Sequence, residues 1–497
     1  MRRQATAWWI AALLLLVSGV VTLVASTSDV QRSSTVVGST PVQVFTPAQV
    51  GSGPVVVLVH GFSGSSAMMD PMASALSRAG FVVVAPDLPG HGRNAATLVD
   101  GVLDSAVTDS VSLAEELADG RPVALVGHSM GAGAVTDWAA KNSAAATVAI
   151  SLPSAGDLPQ DPARPANLLL LWGSAEQQRF ADAALSGLRR GYPGGEPGRT
   201  YGDPEAGDAR RAEQIAGAEH ISVIYRQQTF EEVSQWLSFA TDTPSPRGDA
   251  RLAGVLLVLA AGIVAARPLL ARSAADDPGE DTSDTDLETV GKSRGMPRHL
   301  LILTGAAVGA ALGAAAVQGV TERVPVAVAG YLAGWFAVGA LLLWLASLRN
   351  GAGNIGTLRG LGWGALAGGI LSLAMALPAR LSWAAYELLP VRWLIVLPLL
   401  VIIGAWFWAE WRVVHGVRGW RRALLLIASR MIVVAVLLAS ISLLGAPSFL
   451  ALTVPLLVPI LLLLALLAGW ARDPLAAAAS QAIPIALVVA TTFPLVM

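Results

Sequence analysis

Two hydropathy regimes alternate along the chain. An apolar run from about Ala7 to Ala25, preceded by Arg2-Arg3 and opening on Trp8-Trp9, has the length and interfacial aromatics of a membrane-spanning helix. Ala25-Ser26 also fits a signal-peptide cleavage point. A retained anchor over residues 1–27 is expected, and in either case the following segment is exported. From Ser28 to Asp249 charged residues recur, apolar runs shorten to strand length, and loop clusters such as Tyr192-Pro193-Gly194-Gly195-Glu196-Pro197-Gly198 intervene. This pattern predicts one soluble domain over 28–249, long enough to bury its own core, with Pro244-Ser245-Pro246-Arg247-Gly248 as linker. Eight further apolar segments follow, near 252–270, 299–318, 325–347, 357–379, 391–411, 423–445, 449–470 and 475–496. The expected organisation beyond the soluble domain is a helix over 250–272, an acidic loop over 273–298 and a bundle of about seven helices over 299–497.

Composition agrees with the pattern. Hydrophobic residues make up 54% and charged residues 14% of the 497, against about 45–50% and about 25% in soluble domains. An integral protein of the cell membrane is expected, with the lipid bilayer as partner. A net charge of −2 supplies no field for nucleic acid, and the absence of cysteine excludes disulfides, thiolate nucleophiles and cysteine-ligated metals. If the N-terminus is cytoplasmic, fourteen Lys and Arg fall on the inner side and six on the outer side within reach of the spans. Nine spans then put the soluble domain and the C-terminus outside. The seven carboxylates between Asp276 and Glu288 read as a solvated linker. Gly356, Gly360, Gly364 and Gly368, like Gly305, Gly309 and Gly313, form small-residue ridges for helix packing. Arg430 either snorkels or pairs inside the bundle, and Glu410 among Trp406, Trp408 and Trp411 reads as part of an interfacial belt.

Chemistry concentrates in the soluble segment. Pro54 to Val59 is a continuous apolar run of buried-strand type ending in His60-Gly61-Phe62, followed by a loop with Ser63, Gly64 and Ser65. Phe81 to Ala85 runs into Pro86-Asp87-Leu88-Pro89-Gly90-His91-Gly92, and Val123 to Val126 runs into Gly127-His128-Ser129-Met130-Gly131. Helix-compatible stretches such as Ala67–Ala79 lie between, so a parallel sheet with helices on both faces is predicted, with ligands at the carboxyl ends of the strands. Gly127 to Gly131 fits G-x-S-x-G in its required context, an apolar strand before it and the helix-compatible Ala132–Ala140 after it. Such a turn pushes one serine hydroxyl into the open, which makes Ser129 the candidate nucleophile.

In order and spacing, Val59-His60-Gly61-Phe62, the Asp87–Gly92 loop and Gly127–Gly131 resemble the α/β-hydrolase family, over roughly Val42 to Phe239 and not in the membrane half. The resemblance implies a doubly wound, mostly parallel sheet, here beside an all-α polytopic transmembrane bundle. It also implies an acid after a later strand and a histidine near the domain's end. Glu176 stands three residues after the strand Asn167–Gly173, and His220 closes Ala216-Gly217-Ala218-Glu219-His220. Of six histidines, three lie in motif loops and two flank membrane segments, which leaves His220. Asp157, Asp203 and Asp208 remain alternative acids, whereas Asp87 reads as a turn-former. The family pattern further implies backbone N–H groups of Phe62 and Met130 as oxyanion donors. About sixteen residues separate the strand near Thr147–Ser151 from the one at Leu168, so a minimal lid and an open site are expected.

The implied activity is that of a membrane-bound serine hydrolase of the carboxylesterase or lipase kind, acting on small-molecule or lipid esters, thioesters included, through an acyl-enzyme. It requires no cofactor and no metal. An acyltransferase using the same triad, or a non-catalytic hydrolase-like module on a membrane bundle, are the alternatives.

Overall fold

A computed structural model describes residues 2–50, 53–99, 101–238, 248–273, 296–349, 355–414, 417 and 419–496. The linker residues 244–247 and the acidic stretch Asp276–Glu288 lie outside the described residues. The chain divides into two compact units, Met1–Val17 with Leu257–Met375 and Pro390–Ala490, and Ser18–Leu256 with Ala376–Leu389 and Thr491–Met497.

The second unit is built on the sheet that the strand–helix alternation predicts. Eight strands, β1 (Gln31–Val37), β2 (Thr40–Thr46), β3 (Val55–Val59), β4 (Val83–Pro86), β5 (Val123–His128), β6 (Thr147–Ile150), β7 (Leu168–Gly173) and β8 (Arg210–Ile215), lie in the order β1-β2-β4-β3-β5-β6-β7-β8. From β4 to β8 all pairings are parallel; β2 runs antiparallel to both β1 and β4. The β1–β2 hairpin turns tightly between Val37 and Thr40 with Gly38 at φ +57°, a conformation glycine adopts at little cost. Its first strand precedes the reach of the family resemblance, and its mixed pattern of exposure gave no clear alternation to read.

Strand side chains alternate between two cores. Val56, Leu58, Val126 and Leu169 face helix α2 (Ser66–Arg78) and helix α6 (Gln227–Leu237), packing with Met69, Met72, Leu76, Phe230 and Trp236. Val55, Val57, Val59 and Leu125 face α3 (Val102–Ala118) and α4 (Met130–Lys141), packing with Val107, Val111, Val135 and Trp138. All five residues of β3 are fully buried, and each such side chain contributes about 1.5–3 kcal/mol relative to exposure. That double burial is why β3 reads as an unbroken apolar run. Helix α5 (Gln178–Gly191) follows β7, and the segment from Ser151 to Asn167 contains neither helix nor strand, as the short β6–β7 spacing leads one to expect.

The remaining helices are α1 (Arg2–Thr27), α7 (Arg251–Ala271), α8 (Met296–Ala316), the short α9 (Gln318–Thr321), α10 (Ala329–Leu348), α11 (Leu358–Ala379), α12 (Pro390–Val413), α13 (Gly419–Leu444), α14 (Phe449–Trp470) and α15 (Pro474–Thr492). Among the described residues, nine helices are long and apolar enough to cross a membrane. Gly360, Gly364 and Gly368 lie against Asp473, Ala476 and Ala479, and Gly313 against Val338, at distances a side chain would occupy. Gly305 has open space instead. Glu410 departs from its reading as part of an interfacial belt: it is buried, and its carboxylate accepts from Arg430 and, at 2.5 Å, from the Ser429 hydroxyl. Arg430 also donates to Gln481 Oε1 at 2.8 Å and lies over the Phe407 ring. A buried guanidinium in an apolar bundle needs partners, and these supply them to both of its terminal nitrogens.

Candidate active site

Ser129 sits between β5 and α4 with φ 53° and ψ −117°. A side chain in this sparsely populated region persists only where the surroundings over-determine it. Here they do: the Ser129 N–H donates to Ile150 O at 2.8 Å, and its carbonyl accepts the Gly133 N–H at 3.1 Å. Flanking glycines make the sharp turn possible. A Cβ on Gly131 would stand 2.5 Å from His60 O and 2.6 Å from Val59 O, and one on Gly127 would overlap the Gly131 carbonyl. Ser129, Met130 and Phe62 are half-buried, whereas the strand residues behind them are buried.

His220 follows β8 and Glu176 follows β7, so both arrive at the carboxyl end of the sheet beside the serine. His220 Nε2 lies 3.0 Å from Ser129 Oγ and Nδ1 lies 3.2 Å from Glu176 Oε2. An ionised carboxylate only accepts, which puts the proton on Nδ1 and leaves the Nε2 lone pair facing the serine O–H. Glu176 is itself fixed: Oε1 accepts the Ser151 hydroxyl at 2.7 Å and the Gly173 N–H at 2.8 Å. The structure thus brings together Ser129, His220 and Glu176, residues that stand far apart in sequence. The alternative acids lie elsewhere. Asp157 lies close enough to Asp137 to raise its carboxyl, an effect second to burial, and Asp208 accepts the Asp203 N–H at 2.6 Å. Asp87 is fully buried in its loop, accepting the N–H groups of Ser66 at 2.7 Å and Arg93 at 3.1 Å.

Three neighbours of this site escaped the sequence reading. Ser151, just past β6, buttresses the carboxylate; its only signal is a polar residue ending an apolar run. Phe180, in the first turn of α5, stacks on the His220 ring with centroids 4.4 Å apart, and nothing in the sequence separates it from a core aromatic. His128 packs against His220 at 5.0 Å, and its Nε2–H donates to the His220 carbonyl at 2.9 Å. Burial, then the nearby His220, holds the His128 imidazole well below the usual histidine range, so it is neutral. Its buried Nδ1 has no hydrogen-bond partner among the described residues. Met130 opens α4, and Phe62 follows Gly61, where a Cβ would come within 3.0 Å of Ser129 Cβ. Among the described residues, no group of three or more histidine or acidic side chains is placed to hold a metal ion.

Residues 52–190 match the family model described as serine aminopeptidase, S33. A protein of Mycobacterium phage D29 that carries the name non-heme haloperoxidase is 31% identical over 106 residues, 21% of this chain and 38% of its own length. A thermostable monoacylglycerol lipase from a Bacillus species is 47% identical over 49 residues, 10% of this chain and 20% of its own. Each match therefore spans well under half of the relative concerned. A solved α/β serine hydrolase without lid from Xanthomonas campestris is similar at 17% identity and a TM-score of 0.32, covering 43% of this chain and 93% of that one.

Proposed function

From the premise that the strands and helices between Gln31 and Leu237 are an α/β-hydrolase fold, we propose that the protein is a membrane-bound serine hydrolase cleaving carboxylic esters through an acyl-enzyme. The observation that carries this reading is the run of contacts from Ser129 Oγ through the His220 ring to Glu176. A serine hydroxyl is a poor nucleophile until a neighbouring base takes its proton. Nε2 of His220 takes it as Oγ attacks the ester carbonyl, and Glu176 stabilises the resulting imidazolium through Nδ1. The tetrahedral oxyanion receives the N–H groups of Phe62 and Met130. Collapse expels the alcohol, which takes the proton from Nε2. Water then repeats the sequence on the acyl-enzyme, releasing acid and free serine.

Two observations support the finer reading. The likeness to a monoacylglycerol lipase, though confined to 49 residues, favours esters with an acyl chain. The nine apolar helices suit a lipid environment. An outward-facing site is supported by the Lys and Arg bias around the apolar helices. The test is a fluorophosphonate probe on the purified full chain, followed by a chain-length series of simple esters. Covalent labelling that Ser129→Ala removes is expected; a folded chain that neither labels nor turns over any ester overturns the proposal.

A further inference from the structure

We infer that the segment Thr491–Leu495 positions the oxyanion loop of this hydrolase, with Ser63 and Leu495 as positioning residues; the inference rests on the reading of Ser129 as nucleophile and Phe62 as oxyanion donor. Phe62 is held by two loops, the one after β3 and the one after β4. Its own loop continues into Ser63, which stands at φ +65° and whose hydroxyl donates to Thr492 O at 3.0 Å. The second loop presents His91, whose ring meets Phe62 edge-on with centroids 5.8 Å apart. The residue before it, Gly90, accepts the Leu495 N–H at 2.9 Å, and Leu495 O accepts the Leu98 N–H at 2.7 Å. A Cβ on Gly90 would meet Leu495 N at 3.0 Å, so the two backbones lie in direct contact. Phe493 and Leu495 are 8% and 2% exposed, which anchors the segment by burial as well as by hydrogen bonds.

Both loops that fix Phe62 are therefore bound to one short stretch of chain, and that stretch spans the last residues of α15 and those that follow it. An oxyanion donor is useful only when aimed at the position the developing charge will occupy. The loop after β3 cannot secure this alone: it contains Gly61 and Gly64, and its Ser63 occupies a sparsely populated backbone region that persists only where neighbours hold it there. Thr492 and Leu495 are such neighbours.

The experiment compares the full chain with Ser63→Ala and Leu495→Pro, which remove the hydroxyl to Thr492 and the N–H to Gly90. Each purified protein is assayed for kcat and KM on a short-chain p-nitrophenyl ester and for its melting temperature. Displacing a donor by a fraction of an ångström lowers kcat, about 10-fold for Ser63→Ala and up to about 100-fold for Leu495→Pro. KM stays within about twofold, because ground-state binding is untouched. If Leu495→Pro does not fold, Ser63→Ala decides. Wild-type kcat in the folded variants, or a raised KM at unchanged kcat, overturns the inference while leaving the proposed hydrolase intact. A wild-type chain inert toward both ester and fluorophosphonate removes the proposed function and this inference with it.

Discussion

Ser129 occupies backbone space that an L-residue rarely visits, and the residues beside it are selected by what fits there. Gly131→Ala would drive a methyl to 2.5 Å from His60 O. Overpacking of this kind costs about 1–3 kcal/mol, so a lowered melting temperature is expected together with lost activity. Ser151→Ala removes one of the two donors on Glu176 Oε1. A hydrogen bond to a charged group contributes about 1.5–3 kcal/mol, and partial loss of that restraint lowers kcat about tenfold with KM unchanged; an unaltered kcat would deny Ser151 its positioning role. Acid acts on the buried histidines. Burial lowers both His60 and His128 below the ordinary value of 6.5, so below that pH the unfolded chain binds protons that the folded chain does not. Stability is fully present above pH 6.5 and declines as pH falls toward the depressed folded values. Thermal melts across pH 7.5 to 5 should show this fall, and His128→Gln should flatten it.

At the level of strands, helices and loops, much was legible because several signals coincided. Buried parallel strands announce themselves as apolar runs, and β3, β4 and β5 each end in a loop with a glycine pressed against backbone, Gly64, Gly90 and Gly131 respectively. The lengths of the apolar helices followed equally from hydropathy; α14 spans Phe449–Trp470, where the pattern placed it. Partnerships across the fold were not legible. Glu410 and Arg430 are separated by twenty positions on different helices, and no local pattern distinguishes a buried pair from two interfacial charges. Glu176 could be ranked above Asp157, Asp203 and Asp208 only through its place after β7, because which carboxylate meets a histidine is settled by how strand ends converge. Asp87 shows the same convergence in a structural role. Asp87→Ala strips partners from the start of α2 and from Arg93. Buried donors left unsatisfied cost about 1–3 kcal/mol, a loss that chemical denaturation of the purified chain would read.

For the protein as a whole, the proposed arrangement across the bilayer rests on charge and parity. On the proposed orientation, with the N-terminus inside and the nine apolar helices found among the described residues all crossing, Ser129 would face outward. A membrane-impermeant fluorophosphonate should label intact cells at Ser129, and labelling that appears only after permeabilisation would reverse the orientation. A second consequence lies at the roots of the hydrolase segment. Arg32, just past α1, donates to Asp70 of α2 at 3.0 Å, and Arg251, which opens α7, donates to the same carboxylate. Beside them, a Cβ on Gly254 would stand 2.8 Å from Leu23 Cγ. The globular segment that carries Ser129 is thus spliced between two helices that touch near Leu23 and Gly254, as a cassette whose ends meet. Replacing it by a short Gly/Ser bridge should leave the order of the spans unchanged. By the same geometry, a different globular cargo with neighbouring termini could be grafted in its place.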